Sequence, residues 1–178
     1  ADTLWAVRAA KSRNCPTVAL TNVVGSSVTR LADSAIYTRA GPEVGVAATK
    51  SFIAQLAVFM SLADRLGNGI LARSIGNAHL AIGDLLQQDV EEAVALCRKA
   101  SSIFCVGRGP FYPVALEGAL KMKEISYIHA EGYPAGEMKH GPIALIDRNV
   151  PVVAITPHDE HFEKMMGNVH DVRAREAR

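Results

Sequence analysis

Residues 105–142 read CVGRGPFYPVALEGALKMKEISYIHAEGYPAGEMKHGP, and this stretch decides the fold class. The apolar run at its start, from Ile103 to Val106, has the length and composition of a buried strand. Gly107-Arg108-Gly109-Pro110 ends that strand in a sharp turn, because glycine accepts positive φ or close backbone approach and proline interrupts the pattern. A helix is expected over residues 113–127, followed by a polar, glycine-rich loop that carries the chain to His140. Strand, tight turn, helix and reactive loop is the arrangement by which open α/β folds place a site beyond the carboxyl ends of their strands.

Within the helix, Glu117, Lys121 and Glu124 fall at i, i+4 and i+7 and so share one face. Ala115, Ala119, Met122 and Ser126 form a second stripe, small enough to lie close against a sheet. A carboxylate one turn from an ammonium suits a general base whose cation neighbour tunes it and steadies a developing negative charge. The same spacing also describes a solvated helix face with ordinary ion pairs, and spacing alone leaves both readings open. The following loop concentrates His129, Glu131, Glu137, Lys139 and His140, dense for a connector but also compatible with a solvated loop.

The rest of the chain alternates strands and helices. A helix runs to Lys11, strands are expected at 16–23 and 35–38, and Gly25-Ser26-Ser27 reads as a turn with a helix cap before residues 28–32. Residues 49–66 form a long helix, apolar almost all round, which predicts burial against a sheet or a partner subunit. Two more helices are expected between residues 67 and 100, split near 83–88. A short helix at 142–146, a strand at 150–156 and a charged helix at 160–175 complete the pattern. Alternation with apolar strands argues for parallel sheets covered on both faces.

Composition bounds the function. The 178 residues are 49% hydrophobic, ample for a core, and the net charge of +1 leaves no nucleic-acid footprint. No apolar run is long enough to span a bilayer helically, and the expectation is a cytoplasmic protein. The three cysteines, Cys15, Cys97 and Cys105, sit in apolar sequence and read as reduced packing residues. Glu137 with His140, and His158 with His161, lack the further ligands a metal would need, so no metal is expected. GRGP lacks the full dinucleotide fingerprint, and no cofactor is expected.

The segment LEGALKMKEISYIHAEGYPAGEMKHGPIALID, residues 116–147, closely resembles the isomerase part of the glutamine–fructose-6-phosphate aminotransferase family, which consists of two sugar-isomerase (SIS) domains. Upstream, TNVVGSSVTRLADSAIYTRAGPEVGVAATKSF, residues 21–52, is similar to the later portion of the family's first SIS domain. The resemblance is weakest between residues 67 and 100. It implies two three-layer, Rossmann-like α/β units in tandem, both incomplete: residues 1–74 from the first domain, 75–94 as connecting helices and 95–178 from the second.

The resemblance also implies roles. Glu124 stands where the family has the base that moves a proton between neighbouring carbons of the imine formed from fructose-6-phosphate and ammonia. Lys121 matches a lysine beside it that stabilises the enolamine oxygen. His140 matches the histidine that opens the sugar ring, delivered in the family from the neighbouring subunit of a homodimer. Val46 and Ala48 lie where backbone groups contact the sugar phosphate, and Glu43 and Arg108 match charged residues lining the same region. By the same resemblance the chain starts just after the family's phosphate loop and stops before its closing C-terminal tail. The glutaminase domain is likewise outside it, so the expectation is an inactive piece. Two alternatives remain: a glucosamine-6-phosphate deaminase of the SIS type using free ammonia, and a non-catalytic regulatory module that binds sugar phosphates.

Overall fold

In a computed structural model of the protein, residues 2–177 are described. The chain divides between Gln88 and Asp89 into two compact units. The first holds helix α1 (Asp2–Lys11), strand β1 (Val18–Thr21), α2 (Ser27–Leu31), β2 (Ser34–Tyr37), α3 (Lys50–Leu66) and α4 (Ala72–Leu85). The second holds α5 (Glu91–Cys97), β3 (Ser102–Gly107), α6 (Tyr112–Ser126), β4 (His129–Pro134), β5 (Val152–Ala154) and α7 (Phe162–Arg173). Short 3-10 segments at Gly109–Phe111, Ala135–His140 and Pro142–Leu145 fill the connections of the second unit. Both sheets are parallel: β1 pairs β2 with Val18 opposite Ser34, and the second sheet has the order β4-β3-β5.

The second unit is built around β3. Alternate residues of a strand point to opposite faces, so each face of β3 has its own core. Ile103 and Cys105 pack with Ala115, Ala119 and Ala130 on the α6 side. Phe104 and Val106 pack with Met138, Ile146, Met165 and Val172 on the α7 side. The small-residue stripe of α6 thus does what its composition suggests, since alanine at two successive turns brings the helix onto the sheet. Tyr127 ends α6 in a left-handed conformation, φ 60°, and turns the chain back towards β4.

The expected loop after α6 is instead a strand for half its length. His129–Pro134 pairs along β3 from Ser102↔His129 to Gly107↔Pro134. HAEGYP has poor intrinsic strand propensity, and tertiary packing decides the matter. Ala130 is fully buried beneath α6, and a Cβ on Gly132 would stand 2.8 Å from the Leu116 Cα. Small residues are demanded where the helix crosses, and His129, Glu131 and Tyr133 take the other face.

The first unit departs further from expectation. α3 buries no residue, and Phe59 is 57% exposed, so its apolar surface is not covered by the two-stranded sheet. A β1–β2 pair is too narrow to cover a 17-residue helix. Ser26 does occupy the position before α2, in an extended conformation, but its hydroxyl makes no cap and is buried without a partner among the described residues. Of the cysteines, Cys105 is buried and Cys97 half-buried, whereas Cys15 is exposed and is no packing residue. No helix among the described residues is long and apolar enough to cross a membrane.

The close approach of α6 to β4 is testable. Gly132→Ala should destabilise the protein by about 1–3 kcal/mol through overpacking against backbone that cannot yield, read as a lower urea midpoint at unchanged m-value. Gly118→Ala, at an α6 position with open space around it, should not.

Candidate active site

Lys121 lies between two carboxylates on the half-buried face of α6. Its ammonium is 3.4 Å from Glu117 Oε1 and donates a short hydrogen bond to Glu124 Oε2. The three side chains are 21–29% exposed, partly withdrawn from water but not sealed from it. Hydrogen bonding to Glu124 first, and to Glu117 beside it, raises the Lys121 pKa above its ordinary 10.5. That direction settles a chemical point: at neutral pH Lys121 is a fixed cation and no base. The groups on this face able to accept a proton are therefore the carboxylates, with the ammonium beside them.

His140 ends the 3-10 segment Ala135–His140, just beyond the carboxyl end of β4. Its neighbours are anchored: Ala135 and Met138 are in the core, and Lys139 pairs with Asp171 of α7 at 2.9 Å. His140 itself is exposed, and among the described residues it makes no hydrogen bond or ion pair with Lys121 or Glu124. Gly141, at φ 141°, turns the chain sharply after it.

Arg108 follows β3. Its guanidinium donates to Asn168 Oδ1 of α7 at 3.2 Å and crosses Gly136, where a Cβ would stand 3.0 Å from Nη1. The residue therefore ties the glycine turn to α7. A Cβ on Gly107 would fall 2.2 Å from the Phe111 carbonyl oxygen, so no other residue fits that turn.

Glu43, Val46 and Ala48 belong to the first unit, on the segment between β2 and α3. Glu43 Oε1 accepts from the Thr49 amide at 3.3 Å and the Thr49 hydroxyl at 3.1 Å, and Oε2 accepts from the Ser51 amide at 3.0 Å. Hydrogen bonds from Ser51 and Thr49 hold the Glu43 carboxyl down at about 2. Val46 is 95% exposed and Ala48 is exposed. Glu43 also lines an open cleft at the carboxyl ends of β1 and β2, with Asn22, Arg39, Ser51 and Gln55.

Sequence reasoning missed two polar arrangements. Asn22 accepts from the Thr38 hydroxyl at 2.9 Å and the Ala40 amide at 2.8 Å, and donates to the Gly41 carbonyl at 2.6 Å. An asparagine straight after a β-branched strand was the available signal. On β4, the Tyr133 hydroxyl donates to Glu131 at 2.5 Å, and His129 Nδ1 lies 3.1 Å from the Ser102 hydroxyl. Their i, i+2, i+4 spacing becomes meaningful only once the segment is known to be a strand.

A family model of the SIS domain matches residues 1–65 and 96–178. The chain belongs to the SIS-domain family. The intervening stretch, outside the match, covers most of the region where the sequence resemblance is weakest. The SIS chain is 51% identical over 189 residues to the glutamine–fructose-6-phosphate aminotransferase (isomerizing) of Methanosarcina acetivorans, covering 99% of the chain and 31% of that protein. It is 52% identical over 180 residues to the Methanothermobacter thermautotrophicus protein of the same name, covering 100% of the chain and 30% of that protein. It thus spans about a third of the length of the curated relatives it matches. Among solved structures, the C-terminal domain of glucosamine-fructose-6-phosphate aminotransferase from Francisella tularensis superposes with TM-score 0.89 at 40% identity, over 99% of this chain and 54% of that one. Glucosamine-6-phosphate deaminase from Thermotoga maritima gives TM-score 0.74 at 23% identity, over 98% of this chain and 54% of that one, a likeness of fold alone.

The depressed carboxyls give the SIS chain a defined acid response. Glu43 and Asp33 are both held at about 2, against ordinary values of 4.5 and 3.8, Asp33 by Lys11 and Thr17. A group lowered in the folded state stabilises fully above its unfolded value and loses that contribution as pH falls towards the folded one. Stability should therefore decline between about pH 5 and pH 2, and more shallowly in Glu43→Gln and Asp33→Asn, measured as urea midpoint against pH.

Proposed function

We propose that this chain is the sugar-isomerase part of a longer enzyme that makes glucosamine-6-phosphate from fructose-6-phosphate and glutamine-derived ammonia. The observation that carries the reading is Lys121 held as a cation between Glu117 and Glu124. It is supported by relatives of that name half identical over nearly the whole chain. The two compact units are then tandem SIS units, with residues 75–94 as the connection between them.

In this reading Glu124 removes a proton from the hydroxyl-bearing carbon next to the imine and returns it to the imine carbon, while the hydroxyl proton passes to the imine nitrogen. The product is the aldose amine. Lys121, a fixed charge, stabilises the negative charge that develops on the enolamine oxygen. His140 opens the sugar ring. Its exposure, with no partner among the described residues, suits delivery into the site of a second copy in a homodimer. Val46 and Ala48 of the first unit hold the sugar phosphate through backbone groups, with Glu43 beside them; Arg108, on the second unit, is assigned separately to sugar-phosphate binding. The reaction takes place in the cytoplasm and calls for no nucleic acid or membrane.

The test uses the full-length protein that carries this chain, with fructose-6-phosphate and either glutamine or free ammonia in separate reactions. Amino-sugar formation with glutamine is expected; turnover with ammonia alone would assign the protein to the deaminase class, and none with either would leave a binding module. Glu124→Gln, which keeps size but loses the base, should lower kcat by about 10²–10⁴-fold while fructose-6-phosphate still binds. An unchanged kcat would remove Glu124 from the role of base.

A further inference from the structure

The Glu43 carboxylate has a use that its place in the cleft wall does not explain. Helix α3 begins at Lys50, and its first amides have no partner within the helix. The residue before it, Thr49, sits at φ −120° and ψ −79°, and its hydroxyl does not cap the helix. That hydroxyl turns to Glu43 instead, and the Glu43 carboxylate, six and eight residues upstream, takes the Thr49 and Ser51 amides. A negative charge at a helix start is favoured by the helix dipole, so the cap and the charge act together.

The cap closes a loop. Glu43 and Thr49 are the two ends of the segment Val44-Gly45-Val46-Ala47-Ala48. Packing holds little of it: Ala47 is 9% exposed, but Val44 and Val46 are 94% and 95% exposed. The chain entering the loop is fixed separately, because Asn22 binds Thr38, Ala40 and Gly41. Between that anchor and α3, the Glu43 carboxylate is the polar tie that determines the path of residues 44–48 among the described residues.

We propose that Glu43 is a positioning residue, whose carboxylate clasps the 44–48 loop against the start of α3 and thereby fixes the Val46 and Ala48 backbone for the sugar phosphate. The inference rests on the function proposed above, and it replaces a direct contact between Glu43 and the sugar with an indirect one. With both oxygens engaged by donors of its own chain, Glu43 offers little to a ligand hydroxyl.

The test is a double-mutant cycle in the full-length enzyme, with KM for fructose-6-phosphate and kcat measured for Glu43→Gln, Thr49→Val and both together. Hydrogen exchange of the Thr49 and Ser51 amides is followed without ligand. Glu43→Gln keeps the side chain's size but loses its charge and one acceptor. KM should rise about tenfold with kcat nearly unchanged, and the two amides should exchange about tenfold faster. The double variant should be no worse than Glu43→Gln alone, because both substitutions break one clasp. Thr49→Val, removing a single hydroxyl contact, reads the same clasp should Glu43→Gln fail to fold. Additive effects on KM with unchanged exchange would overturn the proposal in favour of direct sugar contact, and an unaltered KM would overturn it outright. Wild-type enzyme that neither turns over nor binds fructose-6-phosphate would overturn the function reading, and the purpose of the clasp with it. An active wild type indifferent to Glu43→Gln would overturn the clasp alone.

Discussion

The second unit depends on how closely helix α6 can approach the sheet. Ile103 and Cys105 on β3, Ala130 on β4, and Ala115 and Ala119 on α6 meet in a layer with almost no exposed surface. Burying apolar surface on this scale is the main favourable term in folding, but here its value depends on small residues more than on large ones. Gly132 lets the Leu116 backbone pass over β4, and Gly107 lets the chain double back at the Phe111 carbonyl. A larger side chain at either point would lift the helix off the sheet.

That approach also sets the chemistry. Two alanines face the sheet at successive turns, so the flank of α6 carrying Glu117, Lys121 and Glu124 is fixed at the margin of the packed layer. Deep burial of such a triplet would cost more in lost hydration than its mutual attraction returns. Full exposure would leave ion pairs of little consequence. At roughly a quarter exposure the three groups keep contact with water while Lys121 pairs with both carboxylates. The 3-10 segment that bears His140 follows the same rule, with Ala135 and Met138 in the core and the histidine outside.

Much of this was legible in the residues. The apolar run of β3, the glycines of its turn and the alternating stripes of α6 each point to one structure, because local propensity and tertiary demand agree there. They disagree at β4, where HAEGYP looks like a loop; only the crossing of α6 makes Ala130 and Gly132 the right strand residues. α3 was legible only in part. An all-round apolar helix states that it will be covered, yet says nothing of what covers it, and β1 and β2 do not. The candidate site was legible in proportion to its locality. Glu117, Lys121 and Glu124 are related by helical spacing, whereas the bonds from Asn22 to residues 38–41 span a strand crossover that no sequence period encodes.

Two glutamates that spacing alone would rank together show why environment assigns the role. Glu43 accepts from two amides and a hydroxyl, and its carboxyl is held at about 2. A carboxylate so satisfied is a poor proton acceptor, because protonation would sacrifice bonds already made. Glu124 has one charged partner, Lys121, and its second oxygen accepts no hydrogen bond among the described residues. It keeps one oxygen without a donor of its own chain among the described residues. The first arrangement spends the carboxylate on holding the backbone still, and the second leaves one oxygen unengaged. Counting the donors around each oxygen therefore separates a structural carboxylate from one with an acceptor to spare more sharply than position in a cleft does.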